Sequence, residues 1–156
     1  MRSFSLAAFA AFCVAAALVP ARAADPFYLG TWKFSAATLA PWHDAKRAAD
    51  TKERARLMGK TIVLKAKEVD GPQPFPCKGP QYKLTDYTAD LLFQGAFEEL
   101  KSKDKSTDPD KLAASLGFKD KKIKTLETGC EFDFHFVDEK TAEVGLNDYV
   151  YTLKKQ

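Results

Sequence analysis

Between Cys130 and Lys155 the chain alternates apolar and polar positions with a period of two, the pattern of strands half buried against a core. Phe132, Phe134 and Phe136 point to one side of the first strand, and Glu131, Asp133 and His135 point to the other. A three-residue loop at 138–140 sets Phe136 opposite Ala142, Phe134 opposite Val144 and Phe132 opposite Leu146. A two-residue turn at Glu139-Lys140 instead sets Phe136 against Glu143. A one-residue slip turns every side chain to the other face, so the three-residue loop is the expected one. Asn147-Asp148, residue types that tolerate positive φ, makes the next tight turn. It places Leu146 opposite Tyr149, Val144 opposite Tyr151 and Ala142 opposite Leu153. The three strands share one aromatic face, which the rest of the chain must cover.

Upstream, Gly30, Trp32, Phe34 and Ala36 alternate with Thr31, Lys33 and Ser35, a strand that Pro41 ends and whose Trp32 belongs to the covered face. Asp44 to Met58 is rich in helix formers, with Asp44 as N-cap, Gly59 as stop and only a shallow alanine stripe; a largely solvated helix is expected there. The stretch 60–69 reads as one strand. Four prolines between Pro72 and Pro80 stiffen the loop 71–80. The segment 81–87 is a further strand, while 89–101 fits either a helix or a strand. Asp108 with Pro109 behind it starts a short helix that Gly117 stops, and 121–128 is a strand leading to Cys130. Six or seven strands with two helical insertions make a mainly β fold. A small antiparallel meander of this kind closes as a β-barrel or a strongly curled sheet, which protects its edges.

Residues 1–23 read as a secretory signal peptide: Arg2, an apolar run from Phe4 to Val19, and Ala21-Arg22-Ala23 as the cleavage site. One domain, 24–156, is left, with no membrane anchor after cleavage and a periplasmic or secreted location. The formal charge of +3 includes Arg2 and Arg22; without them it is about +1, which gives no support for a nucleic-acid partner. Cys13 falls in the leader, so Cys77 and Cys130 remain as an even pair in an exported chain and are expected to form a disulfide.

Candidate chemistry is sparse. Neither a glycine-rich phosphate loop nor a nucleophile in a recognisable setting occurs in the sequence, and no cofactor and no catalytic residue are expected. His135 faces Glu143 across the strands, a pair able to hold a metal or move a proton, but an exposed polar face with one cross-strand contact is the expected reading. The aromatic face formed by Trp32, Phe34, Phe132, Phe134, Phe136, Tyr149 and Tyr151 either fills the barrel or lines a ligand cavity, and a buried tyrosine hydroxyl needs a partner that a ligand could supply. Phe75, between Pro74 and Pro76, either stands on the rigid loop as a protein contact beside Lys78 or plugs an end of the barrel.

The run Phe27-Tyr28-Leu29-Gly30-Thr31-Trp32-Lys33 resembles the Gly-x-Trp opening strand of the calycin group, the lipocalins and intracellular fatty-acid-binding proteins. The resemblance implies an up-and-down, lipocalin-like barrel with an apolar ligand inside. The last strand carries Tyr149-Val150-Tyr151 where the fatty-acid binders carry an Arg-x-Tyr carboxylate clamp, so a fatty acid is not implied. The expected function is a non-enzymatic periplasmic binding protein for a small apolar or aromatic molecule. The alternative is a protein-interaction module, such as an inhibitor of an envelope hydrolase, acting through the loop 71–80.

Overall fold

The structure, a computed structural model, describes residues 26–156; the expected leader lies outside the described residues. Nine strands form one antiparallel sheet: β1 (Gly30–Leu39), β2 (Thr61–Lys65), β3 (Glu68–Asp70), β4 (Cys77–Lys78), β5 (Lys83–Tyr87), β6 (Ile123–Glu127), β7 (Phe134–Asp138), β8 (Thr141–Leu146) and β9 (Tyr149–Lys155). Three short helices, α1 (Thr51–Leu57), α2 (Leu92–Lys103) and α3 (Pro109–Ser115), complete the fold. The strand order is β4-β3-β2-β1-β9-β8-β7-β6-β5. Every strand pairs with its neighbour in sequence except β4 and β5, and the first strand pairs with the last. This is the order of an up-and-down barrel opened at one seam, a curled half-barrel.

The seam is braced rather than hydrogen-bonded strand to strand. The expected disulfide, Cys77–Cys130, joins β4 to the β6–β7 connection, and the Tyr82 hydroxyl donates to the Lys65 carbonyl at 3.1 Å. Phe75 is buried beneath the seam, with its ring 5.4 Å from that of Phe34 and 4.6 Å from that of Phe132.

The hairpin registers Leu146–Tyr149, Val144–Tyr151 and Ala142–Leu153 are those expected, as are Phe136–Ala142 and His135–Glu143. The β7–β8 turn differs: Asp138 pairs with Thr141, leaving the two-residue turn Glu139-Lys140. A register shift between Phe136 and Asp138 absorbs the extra residue, so a short turn and the aromatic register coexist through a β-bulge at Val137.

Two further expectations are corrected and one open alternative is decided. Residues 60–69 are not one strand but the hairpin β2–β3, folded at Ala66-Lys67 so that Leu64 meets Val69. With β4 this raises the count to nine. The helix expected from Asp44 begins at Thr51, capped by Asp50, whose carboxylate accepts from Lys52 N–H and Glu53 N–H. The stretch before it is drawn off the helical path by buried Asp148, which accepts from Asp50 N–H and from the Arg47 guanidinium. The ambiguous segment 89–101 is helical on either side of a left-handed turn at Phe93-Gln94-Gly95.

Two cores result. Trp32, Phe34, Ile62, Phe134, Val144 and Tyr151 lie in the concave one. On the convex side, Leu92, Phe93, Phe97, Ala113 and Phe118 from the helical layer cover Ile123 and Val150 of the sheet. The polar face expected to be exposed is therefore covered at His135 of β7 and Glu143 of β8, which are 1 % and 4 % exposed, while Glu131 stays exposed and Asp133 half-buried.

Candidate functional site

An open cleft of mixed polarity lies at the rim where the two cores meet. It measures about 400 Å³, with Trp42, Phe93 and Ala96 on one wall and Phe132, Gly145 and Leu146 on the other; Gln94, Glu131 and Asn147 form its edge. Phe132 and Leu146 belong to the concave core, and Phe93 to the convex one.

Each wall has an identifiable support. Trp42 follows β1, and its indole N–H donates to the Asn147 carbonyl at 2.8 Å. Its segment is pinned at the β8–β9 turn by Asp148, which accepts from Arg47 and Asp50 N–H and lies 3.1 Å from His43 Nδ1. The Asp50 N–H bond, aided by His43 and Arg47, holds the Asp148 carboxyl below its ordinary range. Phe93, Gln94 and Gly95 are all left-handed, at φ 51°, 55° and 78°. Two of these are not glycine, a conformation that persists only when the surroundings fix it. The fixing group is His135, whose Nε2 accepts from Phe93 N–H at 3.0 Å. That bond leaves the ring proton on Nδ1, which reaches Thr125 Oγ1 at 2.9 Å. Burial pushes the His135 pKa down to about 3, so the imidazole stays neutral.

Gly145 completes the packing. A Cβ at this position would lie 3.0 Å from Phe93 Cδ1 and 3.1 Å from the Trp42 ring, so glycine lets both rings settle on β8 without shifting.

The expected interior site is assembled but filled. Trp32, Phe34, Phe134, Phe136, Tyr149 and Tyr151 share the concave face and are all buried, together with Phe132 at its edge. Phe34 and Tyr151 meet edge to face at 5.5 Å, and the Tyr151 hydroxyl finds its partner within the protein, donating to Glu53 Oε1 at 3.4 Å. The cavity against Phe75, Phe132 and Phe134 measures about 60 Å³, room for on the order of two waters. Of the seven residues only Phe132 reaches the rim cleft. Phe75 is the plug rather than a surface contact, at 3 % exposure, while Lys78 is exposed and its ammonium pairs with Glu68.

His135 and Glu143 share a register pair but not a hydrogen bond, because both imidazole nitrogens are engaged elsewhere. Glu143 accepts instead from the Thr152 hydroxyl at 3.1 Å, and burial raises its pKa to about 7 against the opposing influence of Thr152 and Lys154. Among the described residues no three His, Cys, Asp or Glu side chains converge as a metal site.

Trp42, Phe93 and Gly145 were not singled out by the sequence pattern. An isolated glycine inside the alternating strand β8 is the signal that marks a close approach there. Comparison with protein-family models, with curated proteins and with solved structures finds no match for this chain.

Proposed function

We propose that this protein is a non-enzymatic binding protein of the periplasm or extracellular space that holds a small apolar or aromatic molecule at the barrel rim. The observation that carries this reading is the open cleft of about 400 Å³ that brings Trp42, Phe93, Phe132 and Leu146 together beside the polar Gln94, Glu131 and Asn147. That size and lining suit a small organic ligand. The filled interior turns the reading from the centre of the barrel to its mouth.

The test has two parts. Protein taken from its native compartment is expected to carry a small-molecule adduct in native mass spectrometry. The uncharged dye N-phenyl-1-naphthylamine is expected to bind one to one, and to lose affinity by at least about tenfold in Ala96→Trp, which fills the cleft from a half-exposed helical position. Absence of an adduct together with dye binding untouched by the substitution would defeat the proposal.

A further inference from the structure

We propose that the rim cleft is built for an organic cation, an alkylated ammonium group on a small apolar body. This rests on the reading of the cleft as a ligand site and names the ligand's chemistry.

Three observations converge. First, the walls carry aromatic rings from three separate segments, Trp42, Phe93 and Phe132, with the Trp42 and Phe93 rings 5.2 Å apart and inclined at 49°. Ring faces attract cations through the aromatic quadrupole, tryptophan most strongly. Second, the charge at the edge is one-sided. Glu131 is the charged residue of the lining, is exposed, and pairs with no cation among the described residues. The lining contains no Lys or Arg in a chain holding 24 of them, whereas the cleft between α2 and α3 has Lys101 and Lys105, and the one beside Phe136 has Lys122 and Lys124.

Third, three N–H donors of the lining are already spent inside the protein. The Trp42 indole N–H goes to the Asn147 carbonyl at 2.8 Å, the Asn147 amide to Glu53 Oε2 at 2.7 Å, and Phe93 N–H to His135 at 3.0 Å. The Glu131 carboxylate, the neutral Gln94 amide and the aromatic rings remain. A group with a diffuse positive charge and an apolar surface is complementary to such a lining. An anion would meet Glu131 with those donors occupied.

The experiment compares two molecules of nearly one shape. Choline and 3,3-dimethylbutan-1-ol differ in a quaternary nitrogen against a quaternary carbon. Both are titrated against the full mature protein by tryptophan fluorescence and calorimetry, and as competitors of N-phenyl-1-naphthylamine. Choline is expected to bind at least about tenfold more tightly than the alcohol. Glu131→Gln, at an exposed position, is expected to weaken choline several-fold and flatten its salt dependence while leaving the alcohol unchanged. Trp42→Leu is expected to bring the two ligands to near-equal affinity, with circular dichroism confirming an intact fold. Equal binding of the two molecules to wild type, or a choline affinity indifferent to Glu131→Gln, overturns the cation assignment. If the dye still binds in the cleft, the broader binding function survives that result. If dye, choline and alcohol all fail to bind, both readings fall together.

Discussion

At the scale of single residues, the two buried titratable groups on the convex face act in opposite senses. His135 has its pKa pushed down to about 3 by burial. Between that value and its ordinary one near 6.5 the unfolded chain binds more protons than the folded one, so this contribution to stability is complete above about pH 6.5 and drains away as pH falls. Glu143 is the reverse case. Its pKa rises to about 7, the folded chain keeps a proton that the unfolded chain has released, and the carboxyl costs stability as pH climbs from about 4.5 to 7. Glu143→Gln is therefore expected to stabilise the protein at pH 8 and to do little at pH 4, which urea titrations at the two pH values will read directly. His135→Ala leaves Phe93 N–H buried without its acceptor and removes the Nδ1–H donor to the Thr125 hydroxyl. A loss of about 3 kcal/mol is expected at pH 7, shrinking toward pH 4, where the wild-type histidine has itself become a liability.

At the scale of elements, legibility followed the range of the contacts that decide each one. The β7–β8–β9 meander was readable because its registers depend on adjacent turns and a strict alternation, and the α3 start was readable because Asp108 and Pro109 act on their own helix. The polar face of β7 was misread as exposed because its cover comes from far along the chain: Phe93 reaches His135 across 42 positions. The same is true of the helix that starts at Asp50 instead of Asp44, since the competing acceptor, Asp148, is 98 positions away. The rim cleft is harder still, being made by a left-handed turn in which two of three residues lack glycine's freedom. Gly145 was its one sequence signature. Gly145→Val is expected to push Phe93 and Trp42 off β8, costing about 1–3 kcal/mol in denaturant titration and abolishing dye binding in the cleft. A stable variant that binds the dye normally would mean that the cleft can be reached without those two rings in place.

At the scale of the whole molecule, the open question of an up-and-down sheet is how it tolerates a seam. β4 is two residues long and meets its only strand neighbour through Glu68–Lys78 and Val69–Cys77, too little ladder to hold an edge in place. Besides the Tyr82–Lys65 hydrogen bond, two larger devices cross the gap, the Cys77–Cys130 disulfide and the Phe75 ring lodged between Phe34 and Phe132. These two act on different states. The disulfide restricts the unfolded chain over a separation of 53 residues, for which chain entropy suggests about 4 kcal/mol. The ring acts in the folded state, and Phe75→Ala should cost about 3–5 kcal/mol in lost burial and a residual cavity. Cys77→Ser with Cys130→Ser is expected to lower stability by about 4 kcal/mol while hydrogen exchange accelerates first in β3, β4 and the proline loop, leaving β8 and β9 protected. Combining the cysteine and Phe75 substitutions separates the mechanisms. If the disulfide acts only on the unfolded ensemble, the two losses add; if it also holds the loop so that the ring can seat, the second loss is smaller once the first has occurred. Additivity would make the ring a native-state closure independent of the disulfide, and a shortfall of more than about 1 kcal/mol would make the two a single clasp.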